Sequence, residues 1–246
     1  MELDRFWDTL SGRISQVRES GKSPIMIFDL DGTLVEPHYR IYNIFVELAG
    51  ELNLPDDAKS VIFDSNPDQY SYHPEETLEN LGISEELISK IMSSWLGYFL
   101  SNRFLQYDRP MKGGYYFVRN ILSLGVKVVY LTGRDVPNMG EGTRQWLEKF
   151  NFLDRSGRTE LIMKRDLSIT NAESKHVACK EMNSSGEAVL VIDNEPKELE
   201  FMLNVFPESI GVLMDSPNSG IPAQLPPETF IIRQFKELNS RYNRLL

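Results

Sequence analysis

The sequence predicts an α/β protein whose centre is a parallel β-sheet covered by helices on both faces. Short apolar runs alternate with stretches of helical spacing along most of the 246-residue chain. Such alternation is typical of strand–helix–strand units with right-handed crossovers. Each apolar run also ends in polar residues, and ligands of open α/β sheets bind beyond the carboxyl ends of the strands.

Four apolar runs are predicted to be buried strands of such a sheet. They are residues 25–28, 126–131, 161–163 and 188–192. The predicted helices cover residues 3–19, 111–124, 141–150, 173–183 and 196–204. Beyond a segment rich in Pro and Ser, residues 229–246 return to a short apolar run and a last helix. The predicted core is therefore a Rossmann-like, doubly wound parallel sheet.

One segment, residues 36–109, interrupts the alternation, because it is far longer than a usual strand-to-helix connection. Its apolar residues form two stripes of helical spacing, from Ile41 to Leu52 and from Leu87 to Leu100. Ser84 precedes the second stripe as a predicted N-cap, with acidic residues in the first turn. We therefore predict a small α-helical domain of residues 36–109 and a core domain of residues 1–35 and 110–246.

Charge and composition exclude several classes of protein. The chain has 26 Lys and Arg against 36 Asp and Glu, a net charge of −10 with histidine neutral. This balance argues against a general nucleic-acid binder and against a polybasic membrane anchor. Cys179 is the only cysteine, so neither an intrachain disulfide nor a cysteine zinc cluster can form. With no long apolar run and no signal-peptide pattern, a cytoplasmic protein is expected.

Two carboxylates follow the first predicted strand, in the run Asp29-Leu-Asp31-Gly32-Thr33. One carboxylate can attack phosphorus to form an acyl phosphate, and a second can protonate the departing oxygen and later accept a proton from water. Both can hold a hard cation through oxygen. Gly32 permits a sharp turn that Thr33 can stabilise. From local chemistry alone, a turn capped by aspartate side chains explains these residues equally well.

The second predicted strand ends in Thr132-Gly133-Arg134. A hydroxyl and a backbone amide at such a strand end can bind phosphoryl oxygens. Taken alone, Thr132 is better explained as the N-cap of the next helix. Arg134 could touch a substrate, but pairing with an acidic side chain is the simpler expectation.

Two lysines and an acid–amide pair lie further along the chain. Lys164 follows the third predicted strand, and Lys175 lies near the start of the next predicted helix. Either lysine could offset the charge of a transferring phosphoryl group, although most lysines are simply solvated. Asp193-Asn194 follows the fourth strand and could supply oxygen ligands to a cation, or form an Asx turn that caps the next helix.

Taken together and in this order, the four segments resemble the four signatures of the haloacid dehalogenase-like (HAD) hydrolase superfamily. The resemblance covers residues 25–196 and includes the apolar lead-in to Asp29. It implies that Asp29 is the nucleophile and that Asp31 is the general acid and base, as in the phosphatase members. The dehalogenase branch lacks the second aspartate, so Asp31 disfavours a halide-releasing enzyme.

The resemblance also implies the groups that bind the substrate. The hydroxyl of Thr132 and the amide of Gly133 would hold the phosphoryl oxygens. The family lysine often lies near a helix start before the last signature, which favours Lys175 over Lys164.

A Mg²⁺ ion would be held by Asp29, the backbone carbonyl of Asp31, and Asn194 or Asp193. The fourth signature usually pairs two acids, whereas this chain has Asp-Asn, so which of the two touches the ion stays open. The segment 36–109 falls where some members have a helical cap. These implications describe a Mg²⁺-dependent phosphatase that hydrolyses a small phosphorylated metabolite through an aspartyl phosphate. A phosphotransferase or phosphomutase on the same core, or a catalytically weak binding protein, is the alternative.

Overall fold

Six parallel strands form the central sheet in the computed structural model, which describes residues 2–154 and 156–239. The described residues also form a separate two-stranded ribbon of β2 and β3. In chain order the strands are β1 (Pro24–Phe28), β2 (Val35–Glu36), β3 (Arg109–Pro110), β4 (Lys127–Asp135), β5 (Thr159–Lys164), β6 (Glu187–Asp193), β7 (Ile210–Met214) and β8 (Phe230–Ile232). The sheet order is β5-β4-β1-β6-β7-β8. Because β4 and β6 lie on opposite sides of β1, a crevice opens at the carboxyl ends of these three strands. The predicted α/β class with a doubly wound parallel sheet is confirmed.

Helices cover both faces of this sheet. Those described are α1 (Glu2–Glu19), α2 (His38–Glu51), α3 (Asp56–Phe63), α4 (Pro74–Asn80), α5 (Glu85–Phe99), α6 (Gly114–Ser123), α7 (Val136–Lys149), α8 (Asn171–Ser185), α9 (Pro196–Val205) and α10 (Lys236–Asn239). α1, α6 and α7 pack on one face through a cluster that includes Trp7, Phe117 and Trp146. α8 and α9 pack on the other face through Met182 and Leu199. Every helix in the described part of the chain is too short or too polar to span a membrane.

The predicted elements of the core are present, with ends that differ by a few residues. β7 is absent from the sequence-based prediction, since its short apolar run includes Gly211, and a glycine weakens a strand pattern. The apolar run predicted after residue 229 is β8, and the last helix begins as α10. The remainder of that prediction, residues 240–246, lies outside the described residues.

The insert, defined here as residues 36–109, forms helices α2 to α5 around a hydrophobic cluster of its own. The ribbon of β2 and β3 joins it to the core. Ser84 occupies the N-cap position of α5 as expected, but its side chain makes no capping hydrogen bond. The division into two domains stays a prediction.

Candidate active site

A cavity of about 760 Å³ lies at the carboxyl ends of the central strands and is lined by residues of both the core and the insert. Most of the candidate residues line it, namely Asp29, Asp31, Thr132, Gly133, Lys164, Lys175 and Asn194. Asp193 is buried behind them and contacts Lys175. The fold therefore brings together side chains that are far apart in sequence.

Asp29 lies directly after β1, which is buried along its whole length. Its backbone N–H continues the sheet by donating to the carbonyl of Ile192 at 3.0 Å. The carboxylate is nearly buried, and Oδ1 lies 3.1 Å from Nζ of Lys175. Burial raises the pKa of Asp29 above its ordinary value; Lys175 opposes this shift and Asp193 adds to it. Asp29 thus shares its neutralising lysine with a second carboxylate.

Lys175 comes from the second turn of α8. Thr170 and Glu173 form a reciprocal capping box that begins this helix. The buried Nζ of Lys175 donates to Oδ2 of Asp193 at 2.7 Å. Burial alone would lower the pKa of Lys175, but Asp193 and Asp29 raise it above its ordinary range. The side chain is therefore a charged ammonium group beside Asp29.

Lys164, the competing lysine, lies at the end of β5. Its Nζ donates to Oδ1 of Asn171 at 3.0 Å. The Asn171 side chain in turn packs against Gly133. A Cβ on Gly133 would lie only 2.6 Å from Cγ of Asn171. The geometry therefore puts Lys175 beside Asp29 and Lys164 on the side of Gly133.

The turn after Asp29 depends on glycine. Gly32 has a left-handed φ of +80°, and a Cβ there would collide with the side chain of Asn194. The expectation that the Thr33 side chain stabilises the turn is wrong, since its buried Oγ1 has no hydrogen-bond partner among the described residues. The backbone N–H of Thr33 instead donates to the carbonyl of Leu30 at 3.0 Å.

Two arginines bind the carboxylate of Asp31. Arg134 donates from Nε to Oδ2 and from Nη2 to Oδ1, both at 2.7 Å. Arg40, in the first turn of α2, donates from Nη2 to Oδ1 at 2.5 Å. Burial alone would raise the pKa of Asp31, but the two guanidinium groups hold it below its ordinary range. Arg134 therefore pairs with an acid, as expected, and Asp31 is held as a carboxylate.

Asp108, directly before β3, completes this charge cluster. Its Oδ2 accepts from Nη2 of Arg134 at 2.7 Å, and its Oδ1 lies 3.1 Å from Nε of Arg40. Arg40 and Asp108 are both buried, and neither was among the sequence candidates. One signal could have identified Arg40, because it shares a helix face with the apolar residues Ile44 and Leu48.

Thr132 and Gly133 lie within β4 rather than at a helix start. The pairing register with β5 shifts between Thr132 and Asp135, so Gly133 and Arg134 form a bulge. Asp135 is the N-cap of α7, and its side chain accepts a backbone hydrogen bond from the first turn. The alternative that Thr132 caps the next helix is therefore wrong.

Asp193 and Asn194 have different surroundings. Both oxygens of Asp193 are engaged, since Oδ2 accepts from Lys175 and Oδ1 accepts from the N–H of Glu195 at 2.8 Å. The hydrogen bond from the N–H of Glu195 forms an Asx turn, which the sequence offered as an alternative role for this pair. Asn194 donates from Nδ2 to the carbonyl of Pro217 at 2.8 Å. Its Oδ1 is therefore the better placed oxygen of this pair for a cation.

A loop of residues 215–221 contributes to the wall of the cavity. Ser216 donates from Oγ to the carbonyl of Gly32 at 2.7 Å. Ser219 donates from its N–H and its Oγ to the carboxylate of Glu195, at 2.9 and 2.6 Å. The sequence indicates a Pro- and Ser-rich segment here, but composition does not show that it packs against the site.

The oxygen donors in the cavity determine which metal could bind. Across the described ranges, no three His, Cys, Asp or Glu side chains converge as a ligand set. Asp29, Asp31 and Asn194 border the cavity and offer carboxylate, backbone-carbonyl and amide oxygens. Such hard oxygen ligands fit Mg²⁺, whereas structural and catalytic zinc sites are built mainly on nitrogen or sulfur.

Comparison with known proteins identifies the family. A profile described as haloacid dehalogenase-like hydrolase matches residues 24–205, which is most of the chain. No curated protein sequence gives a match. The structure is an α/β protein with a cavity at the carboxyl ends of its central parallel strands. The chain belongs to the haloacid dehalogenase-like hydrolase family.

Solved structures share the fold. A predicted phosphatase from Clostridium acetobutylicum is 14% identical with a TM-score of 0.54, covering 91% of this chain and 99% of its own. A predicted phosphoglycolate phosphatase from Haemophilus somnus 129pt is 13% identical with a TM-score of 0.54, covering 89% and 97%. The HAD-hydrolase YfnB from Bacillus subtilis, bound to magnesium, is 14% identical with a TM-score of 0.52, covering 90% and 99%. At these identities the likeness establishes the fold alone.

Proposed function

We propose that this chain is a Mg²⁺-dependent phosphatase that hydrolyses a small phosphomonoester through an aspartyl phosphate on Asp29. The observation that supports this most directly is that Oδ1 of Asp29 lies 3.1 Å from Nζ of Lys175. Asp31, Thr132 and Gly133 line the same cavity. An anionic nucleophile, an ammonium group and donors to phosphoryl oxygens are the groups that phosphoryl transfer requires.

The reaction has two steps. In the first, the carboxylate of Asp29 attacks phosphorus and the bond from phosphorus to the substrate oxygen breaks. The leaving alcohol takes a proton through Asp31, which first accepts that proton from the singly protonated phosphate group of the substrate. In the second, Asp31 accepts a proton from water, the water oxygen attacks phosphorus, and the bond to Asp29 breaks to release phosphate. Lys175 offsets the negative charge throughout, while the hydroxyl of Thr132 and the amide of Gly133 donate to the phosphoryl oxygens.

We assign the Mg²⁺ ligands to the carboxylate of Asp29, the backbone carbonyl of Asp31 and the amide oxygen of Asn194. When bound there, Mg²⁺ would screen the repulsion between the anionic nucleophile and the phosphate group. Asp193 has an indirect role, because its two oxygens already accept hydrogen bonds from Lys175 and from the backbone. YfnB, which has the same fold, is bound to magnesium, and this supports the choice of ion.

We assign the insert the role of a cap over the cavity. It contributes one wall of the cavity and is joined to the core through the short ribbon of β2 and β3. A cap excludes bulk water and selects the leaving group, which favours a small phosphorylated metabolite over a macromolecule. The YfnB structure reports movement between domains in the same fold, which supports this role.

The substitution Asp29→Asn tests the proposal. It should reduce phosphate release from a panel of phosphomonoesters by roughly 10³-fold or more, as expected for the loss of a nucleophile. Asp56→Asn, an exposed carboxylate on α3, is the matched control and should keep the full rate. Acid-quenched mass spectrometry of the unaltered chain should detect one added phosphoryl group. Full activity of Asp29→Asn would refute the proposal, and a phosphorylated product without free phosphate would indicate a phosphotransferase.

A further inference from the structure

The wall of the cavity that the insert contributes is aromatic. Tyr72, Trp95 and Phe99 line it together with Leu100. Among the described residues of the insert that line the cavity, none is lysine or arginine, whereas the carboxylate of Glu36 and the imidazoles of His38 and His73 are present. This wall can pack against apolar groups, but it offers no lysine or arginine to pair with an anion.

The Trp95 and Phe99 part of this wall is held in a fixed arrangement. The rings of Trp95 and Phe99 stack with centroids 4.6 Å apart and an interplanar angle of 19°. The guanidinium carbon of Arg40 lies 4.2 Å from the centroid of Phe99. Arg40 is itself bound to the carboxylates of Asp31 and Asp108, so its charge is neutralised. A ring that packs here meets a preorganised surface, which reduces the entropic cost of binding.

The cations on the core side of the cavity already have partners. Lys175 and Arg134 each contact two carboxylates. Lys197 forms an exposed ion pair within α9. Lys164 contacts Asn171 on the side of the cavity proposed to bind the phosphoryl group. A second anionic group on the substrate would therefore lack a strong partner next to the aromatic wall.

We propose that the leaving group of the substrate is uncharged and largely apolar, and that it packs through a planar ring against Tyr72, Trp95 and Phe99. The inference rests on the proposed function, because it assigns the phosphoryl group to the Asp29 end of the cavity. A volume of about 760 Å³ accommodates a phosphoryl group and a ring-bearing alcohol. A carboxylated leaving group would instead lose hydration against the aromatic wall and Glu36 without gaining an ion pair.

Binding of two phosphonates tests the inference, since binding requires no turnover. Benzylphosphonate has an uncharged ring, whereas 3-phosphonopropionate has a carboxylate. Calorimetric titration of the full chain with Mg²⁺ at pH 8, above the ordinary titration range of histidine, should give a Kd at least roughly tenfold lower for benzylphosphonate. Equal affinities, tighter binding of 3-phosphonopropionate, or no binding of either compound would overturn the inference.

Leu96, on α5, and Leu100, at the C-terminal end of α5, are the positions for a matched set of variants. Leu100 lines the cavity, so Leu100→Lys adds a cation to the aromatic wall, and Leu100→Met adds an uncharged chain of similar length. Leu96 is 58% exposed and does not line the cavity, so Leu96→Lys adds the same charge outside it. Leu100→Lys should bind 3-phosphonopropionate about tenfold more tightly than Leu100→Met, and Leu96→Lys should match the unaltered chain. An equal gain in Leu96→Lys, or no gain in Leu100→Lys, would refute the assignment of this wall.

The inference and the proposed function fail separately. If Asp29→Asn keeps full phosphatase activity while benzylphosphonate binds preferentially, the nucleophile assignment is wrong and the aromatic subsite stands. If Asp29→Asn abolishes turnover while 3-phosphonopropionate binds as tightly as benzylphosphonate, the function stands and the aromatic subsite is wrong.

Discussion

Arg40 of the insert donates a hydrogen bond to Oδ1 of Asp31 across 2.5 Å, so the insert directly contacts a carboxylate of the candidate active site. Arg40 is buried and also lies 3.1 Å from Asp108. Arg40 and Arg134 together lower the pKa of Asp31 and favour its carboxylate form. A carboxylate accepts a proton from water more readily than it donates one to a leaving group. An insert that moved away from the core would remove one of the two arginines from Asp31.

Replacing Arg40 by Met should lower the free energy of unfolding by about 3 kcal/mol, because it removes one partner from a buried ion-pair cluster. Methionine keeps much of the apolar stem that packs in the insert. Arg103→Met is the matched control in the insert, since Arg103 forms an exposed ion pair with Glu47 whose loss should cost under about 1 kcal/mol. Urea denaturation followed by circular dichroism measures both changes. Equal losses in the two variants would contradict a structural role for the buried cluster.

Lys175→Met should reduce kcat by about 10²–10³-fold, the usual cost of losing a group that stabilises charge in the transition state. Lys164→Met should reduce kcat by less than about tenfold, because Lys164 contacts Asn171 rather than Asp29. Since Lys175 is buried between two carboxylates, the melting temperature of each variant is recorded and rates are compared well below it. A larger loss in Lys164→Met would reverse the assignment.

Strand ends were sufficient to predict much of the cavity lining. Asp29 and Asn194 each follow a buried strand, and Thr132 lies near the end of another. Because the carboxyl ends of neighbouring parallel strands meet at one edge of the sheet, these residues had to lie close together. Lys175 could be chosen only through the resemblance to a family, since a lysine in the first turns of a helix has no feature that distinguishes it from a solvated one.

The pairing of Arg40 with Asp108 and Asp31, and the contacts of the loop of residues 215–221, could not be predicted, because the partners are distant in sequence. Arg40 and Asp108 lie near the two ends of the insert, and the ribbon of β2 and β3 brings those ends together. The Pro and Ser content of the loop indicates irregular structure but not its contacts. Those contacts depend on the position of β7, a strand of only 5 residues that includes Gly211.

We expect the stability of the folded chain to fall above about pH 8.5 because of Cys179. This cysteine is buried on α8, the helix that contains Lys175, and burial raises the pKa of its thiol to about 12. In the unfolded chain the thiol titrates near pH 8.5. Because the folded pKa is the higher one, this contribution to stability is fully present below about pH 8.5 and is lost as pH rises toward 12. The loss is about 1.4 kcal/mol for each pH unit, or about 2 kcal/mol at pH 10.

Urea denaturation of the unaltered chain and of Cys179→Ala between pH 8 and pH 10 measures this difference. The alanine variant should lose stability less steeply with pH, although it begins less stable because of the cavity that the substitution creates. A thiol reagent at pH 8 should label the unaltered chain only after unfolding. Parallel pH slopes in the two proteins, or rapid labelling of the native chain, would contradict the burial of this thiol.

Asn194→Ala should raise the Mg²⁺ concentration for half-maximal activity at least about tenfold, because it removes an oxygen ligand from the proposed site. Asp193→Asn should leave that concentration nearly unchanged, since both oxygens of Asp193 already accept hydrogen bonds from Lys175 and Glu195. Asn194→Asp keeps an oxygen at this position and should retain Mg²⁺ binding.

The rise in melting temperature on adding Mg²⁺ gives a measurement that does not depend on turnover, because a ligand that binds only the folded chain stabilises it. This rise should persist in Asp193→Asn, even though that variant begins less stable, and should be largely lost in Asn194→Ala at the same Mg²⁺ concentration. The Mg²⁺-dependent rise is compared within each variant, and absolute melting temperatures are not compared between variants. This comparison separates metal binding from the stability lost when the ion pair of Asp193 with Lys175 is broken. The opposite pattern, with the rise lost in Asp193→Asn and kept in Asn194→Ala, would assign the ligand to Asp193.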